Sequence, residues 1–284
     1  QTWAGWRTFL VDGDAKPGVA AVKQYTKIYP LAQAGKPPPA LNFVNMSGKP
    51  FNMVAPADES FWPMLHQVVQ EEPTDTIDAT TLGIWASIGI EKGKPFAPDA
   101  RMKKILAEAA AVGDATGRAV AYRTRDKEAF FFEDRQWKRP FIGSYKFEKQ
   151  PGVPNLDAAV MFFALATGVT PAMDTQVVGQ GSTYPWTAVD ANRQPLDGGK
   201  TYKLRLPPNV PVKDFWSVIV YDTQTRSMLQ TNQRFPSVSS QNKALQVNAD
   251  GSVDVYFGPK APAGKENNWV QTIPGKAWFT ILRL

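Results

Sequence analysis

The fold of this chain is decided by four stretches whose composition and alternation predict β-strands: Tyr202-Lys-Leu-Arg-Leu206, Phe215-Trp-Ser-Val-Ile-Val-Tyr221, Val253-Asp-Val-Tyr-Phe257 and Ala277-Trp-Phe-Thr-Ile-Leu-Arg-Leu284. A period of two residues and many β-branched or aromatic side chains are typical of strands. Segments rich in Pro, Asn and Gly separate the stretches and predict turns. Short strands at this spacing predict an antiparallel β-sandwich, jelly-roll-like in its arrangement, over residues 176–284.

The part of the chain before these strands has the period of helices. The strongest signal runs from residue 99 to 123, where Met102, Ile105 and Leu106 recur at spacings of three and four, although Gly113 and Gly117 weaken its second half. The sequence thus predicts an α+β protein, with a helical N-terminal portion packed beside the C-terminal sandwich. We expect a remnant of an N-terminal domain at residues 1–70, a mainly helical connecting region at 71–175 and the sandwich at 176–284.

Composition excludes several classes of function. The 284 residues contain no Cys, so disulfides, thiolate metal sites and Cys nucleophiles are ruled out. The net charge of +6 comes from 32 basic and 26 acidic residues scattered along the chain, which predicts no nucleic-acid partner. No apolar run reaches the roughly 18 residues that suggest a transmembrane helix, so we expect no membrane span. Because the chain begins with Gln and not Met, we expect its natural start to lie upstream.

Several blocks of the sequence resemble one bacterial family. They are Pro207-Pro-Asn-Val-Pro-Val-Lys-Asp-Phe-Trp-Ser217, Tyr221-Asp-Thr-Gln-Thr-Arg-Ser-Met-Leu229, Asn248-Ala-Asp-Gly-Ser-Val-Asp-Val-Tyr-Phe-Gly-Pro259, Glu91-Lys-Gly-Lys-Pro-Phe-Ala-Pro-Asp99 and Ala166-Thr-Gly-Val-Thr-Pro171. The family pairs two domains of unknown function, numbered twelve-fifty-four (N-terminal) and twelve-fourteen (C-terminal). The resemblance implies a C-terminal β-sandwich and an exported protein, periplasmic or secreted. It also implies a fragment that lacks most of the N-terminal domain and a short C-terminal tail. It implies no settled reaction.

The best candidate for a binding site is the loop after the strand at 215–221. It offers Tyr221, Asp222, Arg226 and Arg234 within fourteen residues. Two guanidinium groups could hold a carboxylate, phosphate or sulfate through paired hydrogen bonds. The alternative is structural, because the same arginines could fix the loop by pairing with Asp222, Asp254 or backbone carbonyls. Both interpretations stay open at this point.

A second candidate is Tyr184-Pro-Trp186, where two aromatic rings lie close together. Aromatic faces bind the apolar faces of sugars, although a buried core Trp is the simpler explanation. The ligand-binding residues that we predict are Tyr221, Asp222, Arg226, Arg234, Tyr184 and Trp186. They predict a protein that binds a small anionic or sugar-like ligand in a loop-built pocket on the sandwich.

The alternative function is a hydrolase with Tyr221, Asp222 and His66 as acid–base groups between the helical part and the sandwich. His66 is the only histidine, and it lies in an apolar helical stretch, which favours a packing role. This hypothesis requires His66 to lie near the loop of Arg226. The sequence assigns no catalytic residue, and we predict no metal site and no cofactor. The final strand, taken as an edge strand, makes a second copy of the chain a possible partner.

Overall fold

The structure is a computed structural model that describes residues 5–6, 8–50, 52, 54–166, 168–174 and 182–284. Its α-helices are α1 (Lys16–Tyr25), α2 (Phe61–Glu71), α3 (Ala79–Ser87), α4 (Ala100–Tyr122), α5 (Leu156–Leu165) and α6 (Pro171–Asp174). Short 3-10 helices occupy Leu31–Gln33, Thr74–Thr76, Lys127–Ala129 and Glu266–Asn268. No helix within these described ranges combines the length and the apolar character that crossing a bilayer requires.

Nine strands complete the secondary structure of the described residues. They are β1 (Glu148–Gln150), β2 (Val153–Pro154), β3 (Trp186–Thr187), β4 (Tyr202–Leu206), β5 (Ser217–Asp222), β6 (Ser237–Ser239), β7 (Val253–Gly258), β8 (Trp269–Gln271) and β9 (Trp278–Arg283). The four predicted strands correspond to β4, β5, β7 and β9. The predicted α+β class is therefore confirmed, with helices in the N-terminal part and sheets in the C-terminal part.

The chain divides into two compact units, one formed by Gln1–Asn52 with His66–Pro95 and the other by Met53–Leu65 with Phe96–Leu284. The first unit contains α1, α3 and the last turns of α2. The side chain of Lys92 caps the C-terminus of α2 there: its Nζ donates to the carbonyls of Gln70 (2.7 Å) and Glu72 (2.8 Å). A cation at this position satisfies carbonyls that a helix C-terminus leaves without partners.

The second unit has three layers: helices, a four-stranded sheet and a three-stranded sheet. The four-stranded sheet has the order β3-β9-β5-β6, and the three-stranded sheet has the order β4-β7-β8. Asp99 caps the N-terminus of α4 by accepting from the Met102 amide at 2.7 Å, and Asn155 does the same for α5 through the Ala158 amide at 3.2 Å. Both caps satisfy amides that the first helical turn cannot pair internally.

The central strands alternate between two cores because successive side chains of a strand point to opposite faces. On one face, Val218, Val220 and Trp278 join Val255 and Val270 of the three-stranded sheet in a buried cluster. On the other face, Phe279 and Ile281 pack with Ala121 of α4 and Met161 of α5. The helices thus cover the outer face of the four-stranded sheet.

Two details of the sheets differ from the sequence-based expectation. The prediction that the last strand lies at an edge is wrong, because β9 lies between β3 and β5. The pair β7 and β8 is parallel, whereas the predicted sandwich was antiparallel throughout. A parallel pair needs a connection that returns to the starting end, and residues 259–268 supply it. The predicted domain boundary at residue 176 lies outside the described residues.

Candidate functional site

The turn that follows β5 is held by its own first residue. Asp222 Oδ1 accepts hydrogen bonds from the amides of Gln224 (2.7 Å) and Thr225 (3.2 Å). The Asp222 amide donates to the Ser227 carbonyl at 2.9 Å and closes the turn. An aspartate that accepts from amides two and three residues later is a common turn device. The turn therefore presents residues 223–226 in a fixed conformation.

The carboxylate of Asp222 is buried, with 6% of the residue exposed, and it is also paired. Its Oδ2 lies 2.7 Å from Lys276 Nζ. Burial alone would raise the pKa of Asp222, but the hydrogen bonds from Lys276 and from the two turn amides outweigh burial and lower it. Asp222 is therefore a structural anion at neutral pH, and its partner Lys276 comes from the segment that leads into β9.

The Asp222→Asn variant is expected to lose roughly 1–3 kcal/mol of stability at pH 7, because it keeps a turn acceptor but loses the charge that pairs with Lys276. The folded-state pKa of Asp222 is lowered, so this contribution is present above the unfolded value of about 3.9 and is lost as the pH falls through the folded value. Urea unfolding of both proteins at pH 7, 5, 4 and 3 would show a gap that closes below pH 4. The exposed Asp134→Asn change serves as the control, and a gap that stays constant with pH would contradict the assignment.

Arg226 ends this turn in an unusual backbone conformation, with φ at 61°. Left-handed φ values are uncommon for residues with a side chain and cost free energy unless the surroundings impose them. The guanidinium donates to the carbonyl of Phe163 in α5, and its Cζ lies 5.0 Å from the centre of the Phe163 ring. Burial lowers the pKa of Arg226, but an arginine stays charged at neutral pH. This contact agrees with the alternative that the arginine fixes the loop by bonding to a backbone carbonyl.

A cavity of about 390 Å³ lies beside Arg226, between α4, α5 and the turn. Its wall is mainly apolar and includes Trp62, Val160 and Phe163. The α4 side is lined by small residues, among them Gly113 and Gly117. A side chain at Gly113 would meet nothing within 4 Å, and one at Gly117 would approach Val160 Cγ1 at 3.6 Å. These two glycines have low helix propensity, but because they carry no side chains they leave open space beside α4 for the cavity.

Few charged groups face this cavity. Arg118 Nε pairs with Asp114 Oδ2 at 2.8 Å on the α4 side, and Arg226 lies opposite on the turn. Tyr122 donates its hydroxyl to the Thr223 carbonyl at 2.8 Å, and burial raises its pKa to about 12. Tyr122 therefore keeps its proton and ties the helix to the turn. The charged side chains that line the cavity are thus two guanidinium groups and one carboxylate, beside a mainly apolar wall.

The other predicted site residues lie elsewhere in the second unit. Of the six, all of which the structure describes, only Arg226 lines this cavity. Arg234 is exposed, with its Cζ 5.4 Å from the Phe235 ring, and Tyr184 lies 5.9 Å from the Arg283 guanidinium. The Tyr221 ring stacks on Phe279 with centroids 5.1 Å apart.

Trp186 is completely buried in the cluster between α4, α5 and the sheet. Its ring lies 4.5 Å from the Nζ of Lys138 and 6.1 Å from the Phe279 ring, and its Nε1 donates to the Arg139 carbonyl at 3.4 Å. This burial fits the core alternative that the sequence left open for Trp186. The structure therefore does not gather the six residues into one pocket.

His66 belongs to the first unit, and its described contacts lie there. Its Nε2 is 2.9 Å from the Lys94 carbonyl oxygen and 3.1 Å from Gln70 Nε2. Tyr221 and Asp222 belong to the second unit, so the hydrolase hypothesis stays a prediction. Among the described residues, no cluster of three His, Asp or Glu side chains is placed to hold a metal ion.

Comparison with known proteins gives a family for the C-terminal part alone. No curated protein matches the chain. The chain is similar to the crystal structure of the VPA0106 protein from Vibrio parahaemolyticus, with 20% identity, a TM-score of 0.42 and coverage of 97% of this chain and 61% of that one. An uncharacterized protein from Burkholderia cenocepacia gives 16% identity, a TM-score of 0.32 and coverage of 72% and 42%. The chain thus spans less than two thirds of each. A domain of the family "Protein of unknown function (DUF1214)" is found at residues 181–284.

Proposed function

We propose that this protein binds a small ligand with an apolar body and one carboxylate or sulfate group in the cavity between α4, α5 and the turn after β5. The observation that carries the proposal is the placement of Arg226 and Arg118 at an apolar space of about 390 Å³. Ligand pockets of 300–1,000 Å³ with a mainly apolar wall and a few oriented polar groups are the usual form of small-molecule sites.

The charge of the cavity favours an anion over a sugar. Arg118 pairs with Asp114, and the guanidinium of Arg226 is the second cation along the wall, so the charged lining side chains are two cations and one anion. Gln224 is the one side-chain amide along the described wall, and the Tyr122 hydroxyl already donates to the Thr223 carbonyl, so few neutral partners are offered to sugar hydroxyls.

The test is calorimetric titration with straight-chain carboxylates from butanoate to decanoate and with the matching alcohols. We expect affinity to rise with chain length and each carboxylate to bind about tenfold more tightly than its alcohol, because a charge-assisted hydrogen bond contributes more than a neutral one. Arg226→Gln should abolish this difference while Arg234→Gln, an exposed arginine outside the cavity, leaves it intact. Equal binding of acids and alcohols by the unaltered protein would contradict the proposal.

The location of binding can be tested separately by filling the cavity. Gly113→Leu places a side chain in the open space and should weaken decanoate binding at least about tenfold. Ala115→Leu, an exposed position on the same helix, is the matched control and should bind as the unaltered protein does. If both variants bind decanoate normally, the ligand does not occupy this cavity.

The resemblance to exported bacterial proteins supports the further proposal that the protein is periplasmic or secreted. A carboxylate-binding protein in that compartment would meet small amphipathic acids from outside the cell. Fractionation of bacteria that express the full-length gene would check the location, and recovery only from the cytosol would contradict it.

A further inference from the structure

A second cavity, of about 880 Å³, lies within the same unit and shares Tyr122 with the first as a lining residue. It is lined by the end of α4, by the loop that follows and by the segment after β3. Its cationic side chains are Arg123, Arg125, Lys127, Arg135, Lys138 and Arg193, and its one carboxylate is that of Glu133. A chain whose net charge is +6 therefore gathers most of its excess positive charge at one concave surface.

Four of these cations lie outside the ion pairs of the described residues. Within the residues that the structure describes, Arg123, Arg125, Lys127 and Arg193 take part in no ion pair. Arg135 has a weak one, with Nε 3.7 Å from Asp134 Oδ1 and both side chains mostly exposed. Uncompensated guanidinium groups around a concave surface produce a positive potential that attracts and orients anions.

Lys138 neutralises the partial negative charge at the C-terminus of α4, which would otherwise repel an anion from this cavity. The C-terminus of α4 carries partial negative charge on its last carbonyls. Lys138 is 1% exposed, and its Nζ donates to the carbonyls of Ala121 (3.2 Å) and Tyr122 (3.0 Å). The buried ammonium therefore neutralises the helix end at the floor of the cavity, and it leaves the outer arginines as the groups that meet a ligand.

Aromatic rings form the remaining wall. Phe130, Phe131 and Phe132 follow one another along the cavity. The Arg135 guanidinium lies 5.1 Å from the Phe132 ring centre, and that of Arg139 lies 4.3 Å from the Phe131 ring centre. Phe132 is 53% exposed, so part of its ring is accessible although the Arg135 guanidinium lies over one face. An exposed aromatic side chain can stack against the planar ring of a ligand while neighbouring guanidinium groups bind phosphate groups of the same ligand.

We propose that this basic cavity binds a small polyphosphate compound that carries an aromatic ring, of the chemical class of a nucleoside triphosphate. The arginines bind the phosphates by paired hydrogen bonds, and Phe132 stacks against the ring. The site is separate from the carboxylate cavity and does not depend on it.

The test compares metal-free ATP, inorganic tripolyphosphate and adenosine by calorimetric titration. ATP is expected to bind most tightly, tripolyphosphate more weakly and adenosine not measurably. The double change Arg125→Gln with Arg193→Gln should weaken ATP at least about tenfold. Phe132→Ala should weaken ATP and leave tripolyphosphate unchanged.

The control removes the same net charge elsewhere, by Arg101→Gln with Lys103→Gln at the exposed start of α4. If this control weakens ATP as much as the cavity variant does, the attraction is general electrostatics and the proposal fails. It also fails if ATP does not bind, or if a short single-stranded DNA binds far more tightly than ATP. Gly113→Leu, which fills the carboxylate cavity, should leave ATP binding intact, so the two proposals can fail independently.

Discussion

Gly198→Ala is expected to destabilise the protein by at least about 3 kcal/mol, because the new methyl group would collide with backbone that has little freedom to move. A Cβ at this position would lie 2.0 Å from the Ile273 carbonyl oxygen and 2.8 Å from that of Lys276. The Gly198 amide donates to the Lys276 carbonyl at 2.9 Å, and its own carbonyl accepts from Thr272 Oγ1 at 2.8 Å. The turn at 272–276 leads directly into β9, so a displacement there moves the central strand.

The neighbouring glycine provides a matched control. A Cβ at Gly199 would approach the Asp197 side chain at 3.4 Å and Pro274 at 3.9 Å, which are ordinary contacts. Gly199→Ala should therefore change the free energy of unfolding by less than about 1 kcal/mol. Urea unfolding of the three proteins measures both effects, and equal midpoints for the two alanine variants would refute the assigned packing.

Lys138→Met is expected to remove a pH-dependent contribution to the free energy of unfolding. This contribution changes by about 2–3 kcal/mol between neutral and alkaline pH. Burial lowers the pKa of Lys138 to about 8 from an ordinary value of 10.5. Between these two values the unfolded chain binds more protons at this group than the folded protein does, so the contribution of Lys138 to stability rises with pH. At neutral pH the folded protein carries the cost of a buried ammonium, whereas above pH 10 it holds a neutral amine.

The measurement is the free energy of unfolding at pH 7.5, 9 and 10.5 for the unaltered protein and for Lys138→Met. The free energy of unfolding of the unaltered protein should rise relative to that of the variant as the pH rises across this range, because Met cannot titrate. Lys104→Met, at an exposed position of α4, corrects for the loss of a lysine as such. Parallel pH curves for the unaltered protein and Lys138→Met would show that Lys138 is not buried as described.

The sequence predicted the strands well because each carries its own local signal. β4, β5, β7 and β9 overlap the four apolar-rich stretches, and Asp99, at the start of the predicted helical stretch, caps α4. The order of strands within a sheet has no such local signal. The central position of β9 follows from packing against both β3 and β5, which the alternation of one strand cannot reveal.

The candidate sites were harder to predict because they assemble from distant segments. Arg226 was selected from the sequence, but its partners Phe163 and Arg118 lie on helices that precede it by more than fifty residues. Gly113 and Gly117 weaken the helix in sequence, and their spacing of four residues is the available sign of a shared open face.

The basic cavity was missed for a related reason. Its cations are interspersed with acids along the sequence, and Arg193 is far from the others. Cations that are scattered along the sequence are therefore brought together by the fold. Lys138 gave no signal at all, because its burial depends on the carbonyls at the end of α4 and on the ring of Trp186.

The place of β9 between β3 and β5 has a consequence for synthesis in the cell. A nascent chain that has not yet reached residue 278 holds β3 and β5 without the strand that pairs with both. Their hydrogen-bonding edges stay open until β9 arrives, and exposed edges of this kind invite aggregation. The stage of translation before β9 is complete is therefore the one at which these open edges favour aggregation.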